Sequence, residues 1–136
     1  MILLPDTTHW IRWLGNRSLP GFDRPGAARG IALTAIALTE LWTGVRSEQE
    51  AEDLTLLHER ARRRRRLVTP PAAAWIVAGQ TVAALARRGL GSARLRGMRY
   101  DVLLAATAAL LGAEVLTANR RDFETIARVL TVRWTG

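Results

Sequence analysis

Four acidic residues stand where an α/β chain would place side chains that do chemistry. Asp6 follows the first predicted strand and Asp122 follows the fourth, at the strand ends where open α/β sheets bind their ligands. Glu40 and Asp101 lie on predicted helices that would pack beside the same edge. We therefore expect the four carboxylates to lie near one another.

The rest of the composition decides which metal such a cluster would hold. The chain has no cysteine and 2 histidines, His9 and His58, which are too scattered for a zinc site and are interpreted as ordinary surface or helix residues. An oxygen-only set of three or four carboxylates suits Mg²⁺ or Mn²⁺. Such ions polarise a phosphodiester and lower the pKa of a bound water, so metal-assisted phosphodiester hydrolysis is the chemistry to expect.

Each aspartate also has a structural interpretation as a helix cap. Asp6 and Asp101 stand where helices are predicted to begin, and their side chains could accept the free N–H groups there. Asn119 with Asp122 three residues later resembles a capping pair. Taken singly, capping is the favoured interpretation of each aspartate.

Glu40 and Asp101 share helical faces with apolar residues, which capping does not explain. Ala37 and Leu41 share the face of Glu40, and Leu104 shares the face of Asp101. A buried carboxylate is costly unless something pairs with it. Because the chain has no lysine, a divalent cation or an arginine is the expected partner.

The elements that would position these residues alternate between strand and helix. Strands are predicted at 2–4, 31–35, 67–69, 114–117 and 129–134. Helices are predicted at about 6–14, 36–44, 47–64, 71–88, 100–112 and 122–128, and a long surface loop at 15–30. Right-handed crossovers between such strands give a three-layer α/β/α sandwich with a central, mostly parallel sheet. We expect one domain over residues 1–136.

The charge of the chain favours a phosphate-rich partner. All 20 basic residues are arginine, and 12 acidic residues leave a net charge of +8. Arginine binds phosphate through a planar two-donor fork. Codon bias in a GC-rich genome explains the missing lysine equally well but does not remove the positive field. With no cysteine, no apolar leader and no apolar run of about 20 residues, we expect a cytoplasmic protein without a membrane anchor.

Two groups of arginines are candidates for contact with the phosphates of such a partner. Arg94, Arg96 and Arg99 precede the predicted helix of Asp101, and their nearness to the acidic cluster makes them the favoured substrate-binding residues. The run at 62–66 ends a helix, where cations complement the macrodipole. A solvated helix end is the favoured interpretation of that run, with phosphate contact as the alternative.

The five tryptophans form two groups. Trp75 and Trp134 are predicted to be core residues. Trp10, Trp13 and Trp42 lie on the first two predicted helices. For these three, core packing and contact with a partner are equally open, because an aromatic anchor in a groove is a common binding hot spot.

Four short segments resemble, in order, the motifs of the PIN-domain family. Segment 6–11, Asp-Thr-Thr-His-Trp-Ile, resembles the opening motif, and Glu40-Leu41 resembles the second acidic motif. Segment 101–108, Asp-Val-Leu-Leu-Ala-Ala-Thr-Ala, resembles the third, and segment 117–123 is similar to the fourth, Thr-x-Asn-x-x-Asp-Phe. The order and spacing match across nearly the whole chain. Pro5 departs from the family, which usually has an apolar residue before the first aspartate.

The resemblance implies a site and a biological role. The implied catalytic and metal-binding residues are Asp6, Glu40, Asp101 and Asp122, with Thr7, Thr117 and Asn119 as supporting hydrogen-bonders or outer ligands. The implied activity is a Mg²⁺- or Mn²⁺-dependent endoribonuclease acting on single-stranded RNA, the VapC-type toxin of a VapBC-type toxin–antitoxin pair. The implied assembly is a homodimer restrained by a VapB-type antitoxin. An arginine of the antitoxin would enter the acidic pocket, and the helices of Trp10, Trp13 and Trp42 would form its groove.

Two other classes of protein compete with this hypothesis. A catalytically silent PIN-like module would bind RNA or act as a scaffold, but binding alone would gain from losing buried negative charge near phosphate. A phosphotransfer or receiver-like protein with an acidic pocket would be expected to use a lysine, which this chain lacks. The four acids therefore favour the nuclease.

Overall fold

Parallel strands organise the chain in the computed structural model, which describes residues 1–16 and 30–136. The strands are β1 (Ile2–Pro5), β2 (Gly30–Ile31), β3 (Leu33–Thr34), β4 (Leu67–Val68), β5 (Glu114–Leu116) and β6 (Arg133–Thr135). Four of them form a sheet in the order β2-β1-β5-β6, and β3 pairs with β4. Each of these pairings is parallel. The predicted loop at 15–30 lies almost entirely outside the described residues.

Helices pack around the main sheet through two apolar clusters. The helices are α1 (Thr7–Gly15), α2 (Ala35–Thr43), α3 (Glu48–Arg63), α4 (Ala72–Arg87), α5 (Ser92–Leu111) and α6 (Arg120–Ile126). Trp10 and Leu57 belong to the cluster of α1, α2 and α3, whereas Leu4, Val115 and Phe123 belong to the cluster of the strands with α4, α5 and α6. The predicted α/β fold with a central parallel sheet is confirmed. Within the described ranges, no helix is both long and apolar enough to cross a membrane.

The strand predicted at 31–35 is divided between the two sheets. The N–H of Ala32 bonds to the backbone of β1, whereas the N–H of Leu33 donates to the carbonyl of Arg66 (2.8 Å) beside β4. Thr34 then caps α2, since its hydroxyl accepts from the N–H of Ala37 (3.0 Å). The helix that carries Glu40 therefore begins directly at the end of β3.

The helix predicted from about residue 100 begins eight residues earlier, at Ser92. Leu95 and Met98 pack against the core from this added segment, and Met98 is 1% exposed. The apolar periodicity thus continues before Asp101, but Gly97 and the neighbouring arginines concealed it. Asp101 lies well inside α5, so its interpretation as a helix cap is wrong.

The end of the chain has a shorter strand than predicted. After α6, the N–H groups of Val129 and Leu130 both donate to the carbonyl of Ile126 at 3.0 Å, so the turn continues where a strand was expected. Trp134 on β6 is partly buried, and its ring lies 6.2 Å from that of Phe123 between centroids. The prediction that Trp134 packs on the core is confirmed.

Candidate active site

Asp6 lies between β1 and α1, and its carboxylate accepts four hydrogen bonds. Oδ1 accepts from the backbone N–H (3.1 Å) and ring Nδ1 (2.9 Å) of His9. Oδ2 accepts from the hydroxyl of Thr117 (2.9 Å) and the N–H of Ala118 (2.9 Å). Asp6 is 5% exposed, and its own N–H donates to the carbonyl of Leu116 (2.8 Å) on β5. Asp6 therefore caps α1 and also faces the sheet edge, so the two interpretations of it are compatible.

Thr117 connects the end of β5 to the end of β1. Its N–H donates to the carbonyl of Thr135 (2.9 Å), which fixes its backbone at the sheet edge. Its fully buried hydroxyl donates to Asp6 and accepts from the N–H of Asn119 (2.8 Å). A hydroxyl that is both donor and acceptor fixes the direction of both neighbours.

Asn119 brings together the carboxylates of two different helices. Its side-chain amide donates to Oδ2 of Asp122 (2.7 Å) on α6 and to Oδ2 of Asp101 (3.2 Å) on α5. The side chain of Asn119 makes no capping bond to α6, although the residue occupies the N-cap position. The interpretation of Asn119 and Asp122 as a capping pair is therefore wrong, because their side chains bond to each other.

The electrostatics of Asp101 show how closely the acids approach. Burial, together with the negative charges of Asp6, Asp122 and Glu40, raises the pKa of Asp101 to about 7, and the hydrogen bond from Asn119 opposes this rise. Like charges disfavour ionisation of one another when water cannot screen them. The structure thus brings the four predicted acids into one electrostatic unit.

Glu40 joins this unit from α2. Its Oε1 accepts from the hydroxyl of Thr7 (2.6 Å) in the first turn of α1. Glu40 is partly buried, and its neighbours Ala37 and Leu41 on the same helix are buried. Thr7 is adjacent to Asp6 in sequence, so this bond holds Glu40 beside the first acid.

The three candidate RNA-binding arginines lie within α5, not before it as expected. Arg94 has an Nη2 atom 3.5 Å from Oδ1 of Asp122 and 3.1 Å from the hydroxyl of Thr125. Arg96 is exposed, and the guanidinium of Arg99 lies 5.0 Å from the centroid of the Tyr100 ring. Arg94 therefore partly neutralises the fourth acid, whereas Arg96 and Arg99 face solvent.

The arginine run at 62–66 begins in the last turn of α3, as predicted. Arg62 forms an exposed ion pair with Glu59, at 3.0 Å from Nη2 to Oε2. This contact lowers the pKa of Glu59, first through the hydrogen bond and then through the charge of Arg62. At Arg62, the run forms an exposed ion pair within its own helix.

The donor chemistry of the cluster fits a hard divalent cation, but the carboxylates do not yet converge on one point. Asp6, Glu40, Asp101 and Asp122 offer only oxygen atoms, which is the ligand type that Mg²⁺ and Mn²⁺ prefer. Among residues 1–16 and 30–136, no three histidine, aspartate or glutamate side chains are close enough together to hold one ion. A cation held by three or more of these carboxylates would therefore require at least one of them to move.

Sequence reasoning missed the contact of His9 with the acidic cluster. His9 was interpreted as an ordinary surface or helix residue, yet its ring Nδ1 lies 2.9 Å from Oδ1 of Asp6 and its side chain is 13% exposed. Because a carboxylate only accepts, Nδ1 carries the proton in this contact. The spacing was the available signal, since a residue three positions after a helix cap returns to the cap's side of the helix.

A groove of about 340 Å³ lies between α1, α2 and α3 and reaches Glu40. Its apolar lining comes from Ile11, Leu14, Leu41, Val45 and Leu54. Its acidic lining comes from Glu40, Glu50 and Asp53. The groove therefore combines an apolar floor with negative charge and adjoins the acidic cluster through Glu40.

The tryptophans do not line this groove. Trp10 is fully buried, and Trp13 packs edge-on against it with 5.2 Å between ring centroids. Trp42 is 40% exposed and Trp75 is 60% exposed. The prediction that Trp75 is a core residue is wrong, because the face of α4 that carries it turns to solvent. Trp10 belongs to the core, which decides between the two interpretations left open for it.

Comparison with known proteins extends these observations. Residues 3–129 match the model of the PIN domain, and no curated protein sequence matches the chain. A chain in the structure of VapBC-1 from nontypeable Haemophilus influenzae is similar, with a TM-score of 0.69 and 22% identity over 99% of this chain and 97% of that chain. A chain of DNA-bound VapBC from Salmonella typhimurium has a TM-score of 0.68 and 24% identity over 99% and 97%.

A third similar structure is that of VapBC2 from Rickettsia felis bound to a DNA fragment from its promoter. A chain of it has a TM-score of 0.69 and 18% identity over 99% of this chain and 98% of that chain. At these identities the structural likeness establishes a shared fold. The family match, by contrast, spans nearly the whole chain and contains all four acids. The chain belongs to the PIN domain family.

Proposed function

We propose that the protein is a metal-dependent endoribonuclease that acts as the toxin of a VapBC-type toxin–antitoxin pair. The observation that carries this proposal is the hydrogen-bonded path from Asp6 through Thr117 to Asn119, which gathers Asp101 and Asp122 at the edge of a parallel sheet. Proteins of the PIN domain family are generally nucleases, and the similar solved chains come from VapBC structures.

The proposed roles follow from the contacts of each side chain. Asp6, Glu40, Asp101 and Asp122 would hold the cation. A bound Mg²⁺ or Mn²⁺ would supply an activated water and polarise the phosphodiester. Hydrolysis would add water across the phosphodiester bond, so that phosphorus gains a hydroxyl oxygen and the leaving ester oxygen gains a proton.

The supporting residues keep these carboxylates in place. Thr7 orients Glu40, and Thr117 orients Asp6 and the backbone of Asn119. Asn119 holds Asp101 and Asp122 at a fixed separation through its two N–H donors. Because these bonds exist before substrate arrives, the supporting residues would keep the carboxylates near one another until the cation binds.

The proposed substrate is single-stranded RNA, and the arginines of α5 are the proposed phosphate ligands. Arg96 and Arg99 face solvent on the helix that carries Asp101. Arg94 would contact a phosphate beside Asp122, where its guanidinium already lies. The net charge of +8 attracts the nucleic-acid backbone over longer distances.

The groove between α1, α2 and α3 is the proposed binding surface for a VapB-type antitoxin. Its apolar floor would receive the nonpolar side of an antitoxin segment, and Glu40 at its end would accept an arginine from that segment. The helices that carry Trp10, Trp13 and Trp42 line this groove, but they do so through Ile11, Leu14 and Leu41.

A homodimer is the proposed assembly, and α4 offers a surface for it. Trp75 and Ile76 are 60% and 64% exposed at the start of this helix. Large adjacent apolar side chains on a surface commonly mark a contact between protein chains. Analytical ultracentrifugation would show a dimer for the wild type and a monomer for Ile76→Glu, and an unchanged distribution would reject this surface.

One observation favours the alternative of a silent PIN-like module. The carboxylate of Asp6 is satisfied by four protein donors without a cation. Incubating the purified protein with a single-stranded RNA, with Mn²⁺ or with EDTA, separates the two functions. A nuclease produces internal cleavage products that disappear with EDTA, whereas a silent module retains the intact RNA under both conditions.

A further inference from the structure

Asp6 has no free acceptor position for a metal ion in this arrangement. A carboxylate has about four lone-pair sites, and four hydrogen bonds reach Asp6 at 2.9–3.1 Å. A cation that binds Asp6 must therefore displace one of the four donors or share an oxygen with it.

Three of the four donors are fixed by the fold. The N–H of His9 belongs to the first turn of α1, and the N–H of Ala118 follows the end of β5. The hydroxyl of Thr117 is fully buried and holds Asn119 as well as Asp6. Moving any of these would disturb backbone structure or leave a buried polar group without a partner.

The fourth donor can leave without those losses. The imidazole of His9 turns about its own side-chain bonds, its side chain is 13% exposed, and its ring leans against Trp13 with 5.8 Å between centroids. The backbone N–H of the same residue keeps capping α1 when the ring turns away.

We propose that the His9 imidazole occupies the position on Asp6 that a divalent cation takes, so that the ring acts as a competitor of the metal. This inference rests on the metal site of the proposed function. His9 thereby keeps the buried carboxylate satisfied while no metal is present, and the ring turns away from Oδ1 when the cation binds. His9 is a positioning residue in this account, since it acts through Asp6.

Mn²⁺ affinity in the absence of RNA tests the proposal. The affinity is measured by isothermal titration calorimetry on the full chain for wild type, His9→Ala, His9→Leu and His9→Asn. Alanine and leucine remove the donor, and leucine also fills the space of the ring beside Trp13. Asparagine places an amide N–H near the position of Nδ1. Thr8→Ala is the control, because Thr8 is exposed on the same helical turn.

The proposal predicts that His9→Ala and His9→Leu bind Mn²⁺ roughly tenfold more tightly than wild type, the effect of removing a competing hydrogen bond to a charged group. His9→Asn and Thr8→Ala should stay within about twofold of wild type on the same reasoning. Unchanged or weaker binding by both His9→Ala and His9→Leu would overturn the proposal, as would tighter binding by His9→Asn.

The experiment also separates this inference from the proposed function. If wild type and the His9 variants bind Mn²⁺ equally well and the protein cleaves RNA with Mn²⁺, the role of His9 is rejected and the proposed function is retained. A wild-type protein that binds no Mn²⁺, with no gain in His9→Ala, would reject the metal site together with the competition. Tighter binding by the variants in a protein without RNA cleavage would support the competition and reject the nuclease.

Discussion

The hydroxyl of Thr117 donates to Oδ2 of Asp6 across 2.9 Å, although the two residues are 111 positions apart in the chain. The bond joins the ends of two neighbouring parallel strands, β5 and β1, whose register pairs Leu116 with Pro5. The same hydroxyl accepts from the N–H of Asn119, so one buried atom aligns the first acid with the residue that precedes α6.

Replacing Thr117 with valine should therefore destabilise the protein and reduce its activity. Valine keeps the shape but leaves Asp6 without one donor and the N–H of Asn119 without an acceptor. We expect a loss of about 2 kcal/mol in the free energy of unfolding, the usual cost of unsatisfied buried polar groups. Thr107→Val is the matched control, because Thr107 is equally buried but bonds only to the carbonyl of Leu103 in its own helix.

Urea denaturation of both variants checks this expectation. Thr107→Val should lose roughly 1 kcal/mol or less, since the carbonyl of Leu103 keeps its helical partner. Equal losses in the two variants would mean that the bond from Thr117 to Asp6 contributes nothing specific to the sheet edge.

The acidic motifs could be predicted from the sequence because each sits at a position that local patterns identify. Asp6 directly follows an apolar strand, and Asp122 follows another through the segment that contains Asn119. Parallel strands bring such ends to one edge whatever the details of packing. The nearness of Asp6 to the segment before Asp122 therefore required only the order of the elements, whereas the packing of α2 and α5 places Glu40 and Asp101.

The pH dependence of stability should reveal the raised pKa of Asp101. An acid whose pKa is about 7 in the folded protein and 3.8 in the unfolded chain binds its proton more tightly when folded. Its contribution to stability is present at low pH and is lost as the pH rises from about 4 to 7. Asp101→Asn removes this loss, so the unfolding free energy of the metal-free variant should exceed that of wild type by about 4 kcal/mol at pH 8.

Urea titrations in EDTA at pH 5 and pH 8 measure this effect. The difference in unfolding free energy between Asp101→Asn and wild type should grow from pH 5 to pH 8. Glu124→Gln is the control, because Glu124 is an exposed acid on α6. A difference for Asp101→Asn that does not change with pH would contradict the electrostatic coupling of the four acids.

Other features of the structure depend on tertiary contacts that no local pattern reports. Ala32 lies in an apolar run that predicts one strand, yet the chain changes sheets there: the N–H of Ala32 donates to Leu3, and the N–H of Leu33 donates to Arg66. Trp75 has the large apolar side chain of a typical core residue, but a different face of α4, which includes Ala74, Thr81 and Leu85, packs inward. α5 continues through Gly97 toward its N-terminus, and the burial of Met98 in the core favours this longer helix.

The groove should bind the partner through its exposed apolar rim. Ile11 lines the groove and is 58% exposed, so Ile11→Glu should leave the fold intact and weaken binding of a cognate antitoxin at least roughly tenfold. The added charge also faces Glu40, Glu50 and Asp53 across the groove.

Leu56→Glu is the matched control for this surface. Leu56 on α3 is also 58% exposed but does not line the groove. Surface plasmon resonance against the cognate antitoxin should show wild-type affinity for Leu56→Glu. If both substitutions weaken antitoxin binding equally, or if neither weakens it, the assignment of the antitoxin surface to α1 and α2 is contradicted.

The rate of RNA cleavage by Asp101→Asn tests the central claim most directly. Asparagine keeps the shape of the side chain and removes the negative charge of Asp101, which interacts with the charges of the other three acids. In Mn²⁺ and single-stranded RNA, we expect the rate to fall at least about 100-fold, the effect of losing a group of the catalytic centre. Glu124→Gln, purified in the same way, should retain the wild-type rate. Cleavage by Asp101→Asn at the wild-type rate would contradict the assignment of the acidic cluster as the active site.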